Sequence, residues 1–402
     1  MRDGKYAPKE AFLRMKQDIE SGNPCMWDVA AYRIPKDGKP HFRAPEWKIF
    51  PTYDFTHCLC DSFEGVTHSL CTTEFILARE SYDWLINTLG VYAPQQREFG
   101  RLNVAGTLMS KRKLKVLVDQ GIVRGWNDPR LYTLIAIRRR GVPPGAILSF
   151  VNELGVTTAR TFIEVKRFEQ SVRRYLETTV PRLMMVLDPL PVEVEDVPAD
   201  ASLELDVPFS PKDPSWGTHK LGFTRTVYID RSDFREEDSE GYFRLAPNKS
   251  VGLLQAPHPI FATSYDKDDR GRVSRVYARF DKSGKKPQTY IQWVPEGSRR
   301  LEARVYGPLF KSDDPASAEG GFLEDVNEES EIIYGDAMVE TGFEEVRERA
   351  PWPVSAGEAK GRPEAVRFQA IRVGYFAMDE DSTDEKVVLN RIVSLKEDSG
   401  KK

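Results

Sequence analysis

Apolar residues along the first 180 positions recur with helical spacing, and after Pro181 they alternate with a period of two. Phe12, Met15 and Ile19 fall on one side of a helix predicted over 7–21. Phe75, Ala78, Tyr82, Leu85, Ile86 and Leu89 form the core stripe of a second helix, opened by Thr72 or Thr73 as cap and stopped by Gly90. An apolar run from Leu102 to Leu108, broken by Gly106, reads as a strand that stops at a short loop. The helix that follows buries Leu114, Leu117 and Val118. With a strand opening at Ile49, residues 49–120 read strand, loop, helix, strand, loop, helix. That order is half of an open α/β nucleotide fold, with its cleft at the strand C-termini.

Residues 121–180 read as a small helical bundle. Leu131, Leu134 and Ile135 run into Arg138–Arg140 and Gly141; Ile147, Val151 and Leu154 end at Gly155; Ile163, Phe168, Val172, Tyr175 and Leu176 make the third stripe. The arginines are expected near helix ends or on outer faces. Beyond 181 the predicted strands are Arg182–Leu187, Pro191–Val194, Arg225–Ile229, Val273–Phe280, Thr289–Val294, Leu301–Tyr306, Glu331–Tyr334, Ala365–Ile371 and Val387–Val393. Ser312–Gly321 and Ala350–Arg362 read as exposed loops. Over 200 residues of short strands exceed one small barrel, so two are expected.

Composition changes this picture little. The chain has 402 residues, 40% hydrophobic and 30% charged, a globular profile, and a net charge of −4 that advertises no nucleic acid. Positive charge is clustered instead, at Lys111–Lys115, Arg138–Arg140, Arg173–Arg174 and Arg299–Arg300, and local patches can serve a phosphate backbone within an acidic protein. Most such clusters are simply solvated faces. The four cysteines, Cys25, Cys58, Cys60 and Cys71, lack redox or zinc-ribbon spacing and read as reduced, mostly packed thiols in a cytosolic protein without a bound metal. No apolar run has membrane-spanning length, and the N-terminus lacks the apolar segment of a secretory signal.

Two stretches carry candidate chemistry. From Ile49 to Phe75 the chain is dense in His, Tyr, Cys and Thr, which suits a binding cleft, although His57 and His68 read equally well as core histidines. Met109-Ser110-Lys111-Arg112-Lys113-Leu114 places lysines on a strand-to-helix loop beside free helix N–H groups, where a phosphate can bind. Alone, this is also what a solvated helix start looks like.

These motifs together resemble the glutaminyl-tRNA synthetases. The likeness runs through Tyr53-Asp54-Phe55-Thr56-His57-Cys58, Gly65-Val66-Thr67-His68-Ser69-Leu70-Cys71-Thr72 and the Met109–Leu114 stretch. It continues in Gly125-Trp126-Asn127-Asp128-Pro129-Arg130, Arg138–Gly141, Ile229–Glu237 and Asn390-Arg391, covering nearly the whole chain in order. The resemblance implies a class I ligase that activates glutamine with ATP, as its Mg2+ complex, and passes it to the 3′ end of tRNA(Gln). It implies a multidomain α/β and β architecture: residues 1–48 as the tail of an acceptor-stem-binding insertion, 49–120 as the second half of a Rossmann-type catalytic domain, and 121–180 as a helical subdomain. Two anticodon-binding β-barrels would fill 181–402, a distal one at roughly 192–300 inserted in a proximal one at 181–191 and 301–395. A cytoplasmic monomer, able to associate with other synthetases, is also implied.

Residue by residue, the likeness puts Lys111 against the ATP phosphates as the catalytic cation, with Met109 and Ser110 shaping its loop. Thr72, Arg101 and Leu102 stand at adenosine-contacting positions. Glutamine recognition falls on Tyr53, His57, Cys71 and Gln96. The sister glutamyl enzymes carry an arginine where Cys71 stands, which argues for an amide over a carboxylate. Anticodon reading falls on Arg182, Arg244, Gln369 and Arg372, while two further arginines of the bacterial pattern correspond to Gly252 and Leu254. No HIGH-like tetrapeptide occurs, and Met1 aligns with the interior of a full-length enzyme. The isolated chain is therefore expected to be inactive, and a non-catalytic tRNA-binding protein of the same descent is the alternative.

Overall fold

The computed structural model describes residues 1–36, 41–159, 161–199, 202–352, 358 and 360–395. They form two compact units, Met1–Asn103 with Gly155–Phe162, and Val104–Leu154 with Ile163–Lys402.

In the first unit the helix predicted over 7–21 does not form. Phe12–Arg14 is a strand, paired antiparallel with Ala30–Arg33, which pairs in turn with Phe50–Pro51. Three apolar residues at helical spacing are a weak preference, and the ladder overrides it: Met15 is buried while Phe12 and Ile19 stay exposed. A second difference lies at Tyr53–Phe63, a helix where a strand and loop are expected. Its inward face mixes Phe55 and Leu59 with Cys58 and Ser62, so the apolar period is hidden by small polar residues on the buried side.

The second helix begins at Ala78, later than either threonine, because a 3-10 turn at Thr73–Phe75 comes first. It ends at Gly90, in the left-handed conformation that suits glycine. Tyr82, Leu85 and Ile86 are core, packed with Met15, Ala31 and Cys58, whereas Phe75 and Leu89 are exposed. This helix connects His68–Thr72 to Gln95–Phe99, a parallel pair in register from His68 opposite Gln95 to Thr72 opposite Phe99. The result is one β-α-β unit.

In the second unit, loop residues from Ala105 to Ser110 lead into the Lys111–Asp119 helix, which buries Leu114 and Leu117. Leu134–Arg140, Pro144–Leu154 and Val165–Glu177 follow. Phe150 and Phe168 meet edge to face with centroids 5.1 Å apart. Ile163 ends the strand Thr161–Ile163 and is not part of the last helix. Arg139 is also misplaced by the sequence pattern: it is buried, not on an outer face.

The β-rich half holds two seven-stranded sheets. The first runs Tyr290–Ile291, Ser250–Leu253, Ile260–Lys267, Val273–Phe280, Pro189–Val194, Thr226–Asp230, Val294–Pro295. The second runs Arg182–Leu183, Arg367–Ala370, Gly374–Met378, Val388–Ser394, Arg299–Tyr306, Glu331–Val339, Met185–Val186. In each sheet the two edge strands are neighbours in the chain, separated only by Gln292-Trp293 or by Met184. Each sheet therefore curls until its edges nearly meet, which hides the open edges of a barrel. Successive side chains of the 183–186 segment point to opposite faces, and Met184 and Val186 fill the first core while Leu183 and Met185 fill the second. The hairpin Ser202–Pro208 with Thr218–Thr224 and the helix Gly342–Arg349 were not legible in the pattern. Ser312–Gly321 is largely exposed, and the Ala350–Arg362 loop is described only at 350–352, 358 and 360–362.

Candidate functional site

Tyr53, His57, Cys71 and Gln96 line one small cavity of about 60 Å3 in the first unit, with Asp54, Phe75, Ala78, Ser81 and Tyr82. Tyr53 and His57 sit one turn apart on the Tyr53–Phe63 helix, and their rings stack with centroids 5.0 Å apart. A turn further on, Asp61 lies 3.2 Å from His57 Nε2. Asp61 is the hub of this wall: its Oδ2 accepts from Ser69 Oγ at 2.6 Å and from the Tyr82 hydroxyl at 3.0 Å. Ser69 Oγ is also 3.2 Å from His57 Nε2. The His68–Thr72 strand accordingly turns Ser69 inward and leaves Leu70 exposed, the reverse of the usual apolar-in pattern. Burial, with the Asp61 carboxylate beside it, pushes the Tyr82 hydroxyl well above its ordinary range. Burial likewise raises Tyr53, helped by Cys71, Asp61 and Asp54.

The opposite wall comes from the parallel pair. Gln96 Nε2 donates to Cys71 Sγ at 2.9 Å, and Gln96 is only 7% exposed. Its Oε1 is buried and, among the described residues, accepts no hydrogen bond. No lysine or arginine lines the cavity. Asp61, Ser69 and Tyr82 escape a reading of the sequence; the i, i+4 spacing of His57 and Asp61 becomes a signal only once 53–63 is known to be helical.

Thr72, Arg101 and Leu102 gather at the C-terminal ends of the same two strands. Thr72 is opposite Phe99, with exposed Arg101 two residues beyond. Met109, Ser110 and Lys111 belong to the second unit, where Ser110 is the N-cap of the Lys111–Asp119 helix and makes no side-chain capping bond. The first turn of this helix holds no acidic residue, so its free N–H groups and cationic side chains combine to favour an anion. Lys113 is engaged, donating to the Ala316 carbonyl at 3.1 Å and lying 5.4 Å from the centre of the Phe322 ring. Lys111 is exposed and has no ion-pair or hydrogen-bond partner among the described residues.

The four residues placed at anticodon positions fall into two pairs, also in the second unit. Arg182 and Gln369 are register partners in adjacent parallel strands. Arg244 pairs with buried Asp233 at 2.8 Å. Burial raises the Asp233 carboxyl above its usual value, against the pull of Arg244 and then Arg372. Arg372 donates to the Tyr290 carbonyl from a turn in which its own φ is +63°, an uncommon conformation for a residue with a side chain.

Among the described residues no helix is long and apolar enough to cross a membrane, and no group of three or more His, Cys, Asp or Glu could hold a metal ion. The cysteines are free; Cys58 is buried, which pushes its thiol up to about 11, Cys25 and Cys71 are half-buried, and Cys60 is exposed.

Residues 1–178 match the family model for the catalytic domain of class I tRNA synthetases (E and Q), and residues 180–281 match that family's anti-codon binding domain. Among curated proteins, a Hypocrea virens protein named glutamine--tRNA ligase protein virJ is 64% identical over all of this chain and 62% of its own length. A probable glutamine--tRNA ligase of Schizosaccharomyces pombe is 55% identical, and the glutamine--tRNA ligase of Saccharomyces cerevisiae 52%. Both are again matched along the whole chain, which spans 51% and 52% of their lengths, about half. With two adjoining domain models of one family matched over residues 1–178 and 180–281 and three relatives matched along the whole chain, the chain belongs to the class I tRNA synthetases of the E and Q type.

Proposed function

We propose that the chain serves glutamine–tRNA ligation, in which glutamine is activated by ATP as an adenylate and transferred to the 3′ end of tRNA(Gln). One observation carries the choice of amino acid. The cavity lined by Tyr53, His57, Cys71 and Gln96 has no cationic side chain, and Gln96 in its wall keeps a buried acceptor, Oε1, without a hydrogen bond. A carboxamide supplies the N–H that this acceptor lacks. A carboxylate supplies only acceptors and would lie beside Asp54 with no counter-charge, an arrangement that costs about 3–5 kcal/mol when a partner is missing.

The remaining parts take roles by the same chemistry. The β-α-β unit is read as part of the second half of a Rossmann-type fold, with Thr72, Arg101 and Leu102 at the nucleotide edge. Lys111, unpaired at a helix start, stabilises the charge that builds on the ATP phosphates as pyrophosphate leaves; ATP enters as its Mg2+ complex. Met109 and Ser110 hold that loop. Residues 121–180, with the helices Leu134–Arg140, Pro144–Leu154 and Val165–Glu177, form the helical subdomain, and the two near-barrels read the anticodon through Arg182, Arg244, Gln369 and Arg372.

Pyrophosphate exchange by a protein carrying this chain tests the amino-acid assignment: glutamine should outpace glutamate by at least about 100-fold in kcat/KM. Equal use of the two would overturn it. Filter binding of tRNA(Gln) to the chain, against an anticodon-changed control and across a salt series, tests the RNA assignment. The unaltered anticodon should bind more tightly at every salt concentration.

A further inference from the structure

Gly252 and Leu254 occupy positions where an arginine pattern for RNA contact is broken, and the structure shows what stands there instead. Leu254 is turned inward, packed against the core of the first near-barrel, and its carbonyl accepts from Trp293 Nε1 at 2.8 Å. It offers a ligand no polar group of its own side chain. Gly252 is paired in parallel register with Tyr290, and its N–H donates to the Thr289 carbonyl at 3.0 Å. The Tyr290 ring lies over the glycine: a Cβ on Gly252 would come within 2.4 Å of Tyr290 Cδ1 and 2.9 Å of Cγ. No side chain fits at 252 unless that ring moves.

Tyr290 is nevertheless 41% exposed. It is on an edge strand of its sheet, and among the described residues its hydroxyl has no partner and its ring no aromatic neighbour. Its carbonyl is held by Arg372, which reaches it from the positive-φ turn between two strands of the other near-barrel. Arg372 and Arg244 both act on Asp233. A part-exposed aromatic ring is thus anchored through its own carbonyl to Arg372, whose backbone adopts the uncommon left-handed conformation, and Arg372 shares the Asp233 carboxylate with Arg244. An open flat ring on a surface that carries cations is the chemistry that binds unpaired nucleotides.

We propose that Tyr290 is a stacking platform for one unpaired anticodon base, and that position 252 is glycine so that the ring can occupy the space above it. The proposal rests on the reading of this half as an anticodon-binding surface and adds how one base is held. Stacking uses the π face that every base has, whereas an arginine reads base edges. Recognition at this position should therefore tolerate different bases, while Arg244 and Arg372 discriminate.

The test uses the 402-residue chain and anticodon stem-loop RNAs with CUG or UUG loops, each also prepared with 2-aminopurine at one loop position at a time. Tyr290→Ala should weaken binding by roughly 5- to 150-fold, by a similar factor for both loops, whereas Tyr290→Phe stays within about 2-fold of the unaltered chain. Gly252→Ala, which displaces the ring without removing it, should weaken binding in the same direction. One labelled loop position should lose fluorescence on binding to the unaltered chain and keep it with Tyr290→Ala. If the stem-loops bind and neither the affinity nor the fluorescence responds to loss of the ring, the platform is refuted alone. If the unaltered chain binds neither loop, the platform and the anticodon reading fall together.

Discussion

Lys111–Lys115 and Arg138–Arg140 look alike as text, each a run of cations at one end of a short helix, and they are opposites in the structure. The arginine run is committed to the protein's own carboxylates: Arg138 pairs with Glu364, Arg140 with Glu169, and its middle member is buried. Arg139 is 8% exposed and holds Asp379, fully buried, through Nε at 3.0 Å and Nη2 at 2.9 Å. Asn390 closes the cluster, donating to the Arg139 carbonyl at 3.1 Å and also to the Asp379 carboxylate, and Arg304 adds an ion pair to Asp381 at 2.7 Å. The lysine run points outward, and its first member has no partner at all among the described residues. A charge already satisfied within the fold has no capacity left for a ligand; one left exposed at a helix N-terminus has. Partners, not composition, separate a structural cation from a working one.

The sharpest way to break this contrast is Arg139→Ala. Removing the guanidinium leaves the buried Asp379 carboxylate with Arg304, at 3.5 Å, as its remaining ion-pair partner among the described residues, and the expected loss is about 3–5 kcal/mol in unfolding free energy, read from urea titration. The pH dependence sharpens it. Burial alone would raise the Asp379 carboxyl, but Arg139, the Asp381 N–H and Asn390 outweigh burial and hold it below its ordinary value. A carboxyl with a depressed folded pKa gives its full stabilisation above the unfolded value of about 3.9 and loses it as pH falls through the folded one. In Arg139→Ala burial prevails and the pKa rises, so lowering the pH from 7 toward 4 relieves the variant. The stability gap between the two proteins should narrow over that interval; a gap that widened would show Asp379 was never held by Arg139.

Lys111→Ala should do the reverse. Glutamine charging by a protein carrying this chain should fall by about 100- to 1,000-fold, the scale of one removed transition-state charge contact. Its stability should stay within about 0.5 kcal/mol of the unaltered protein. A variant that charged normally would return the lysine run to an ordinary solvated face.

The sequence discloses long, periodic elements and hides those whose buried face is polar. Tyr82, Leu85 and Ile86 announce their helix, and Val273–Phe280 its strand to the residue. The Tyr53–Phe63 helix stays hidden because Cys58 and Ser62 sit where aliphatic residues would mark it. Tyr53, His57, Cys71 and Gln96 can be named from motifs, but Asp61, Ser69 and Tyr82, which hold that wall together, cannot, since their link is a shared carboxylate and not a spacing. The closure of each sheet is likewise invisible, because it depends on which strands meet and not on how any one alternates.

The smallest effect is the most direct control on the comparison. Lys115, within the basic run, does have a partner, Asp119 one turn on at 2.5 Å, but both side chains are more than half exposed. Arg139 and Lys115 are therefore both paired cations, the first buried among three carboxylates and the second exposed beside one. Solvent screens the exposed pair, and holding two flexible side chains together costs entropy, so such a contact contributes about 0.3–0.5 kcal/mol. Lys115→Ala should change the unfolding free energy from urea titration by no more than that, and the change should vanish at about 1 M salt, where the screening length is about 3 Å. Arg139→Ala should keep nearly all its cost at the same salt, because ions do not reach Asp379. If the two losses scaled together with salt, pairing and not burial would be the deciding variable, and the division between the two basic runs would have to be redrawn on partner number alone.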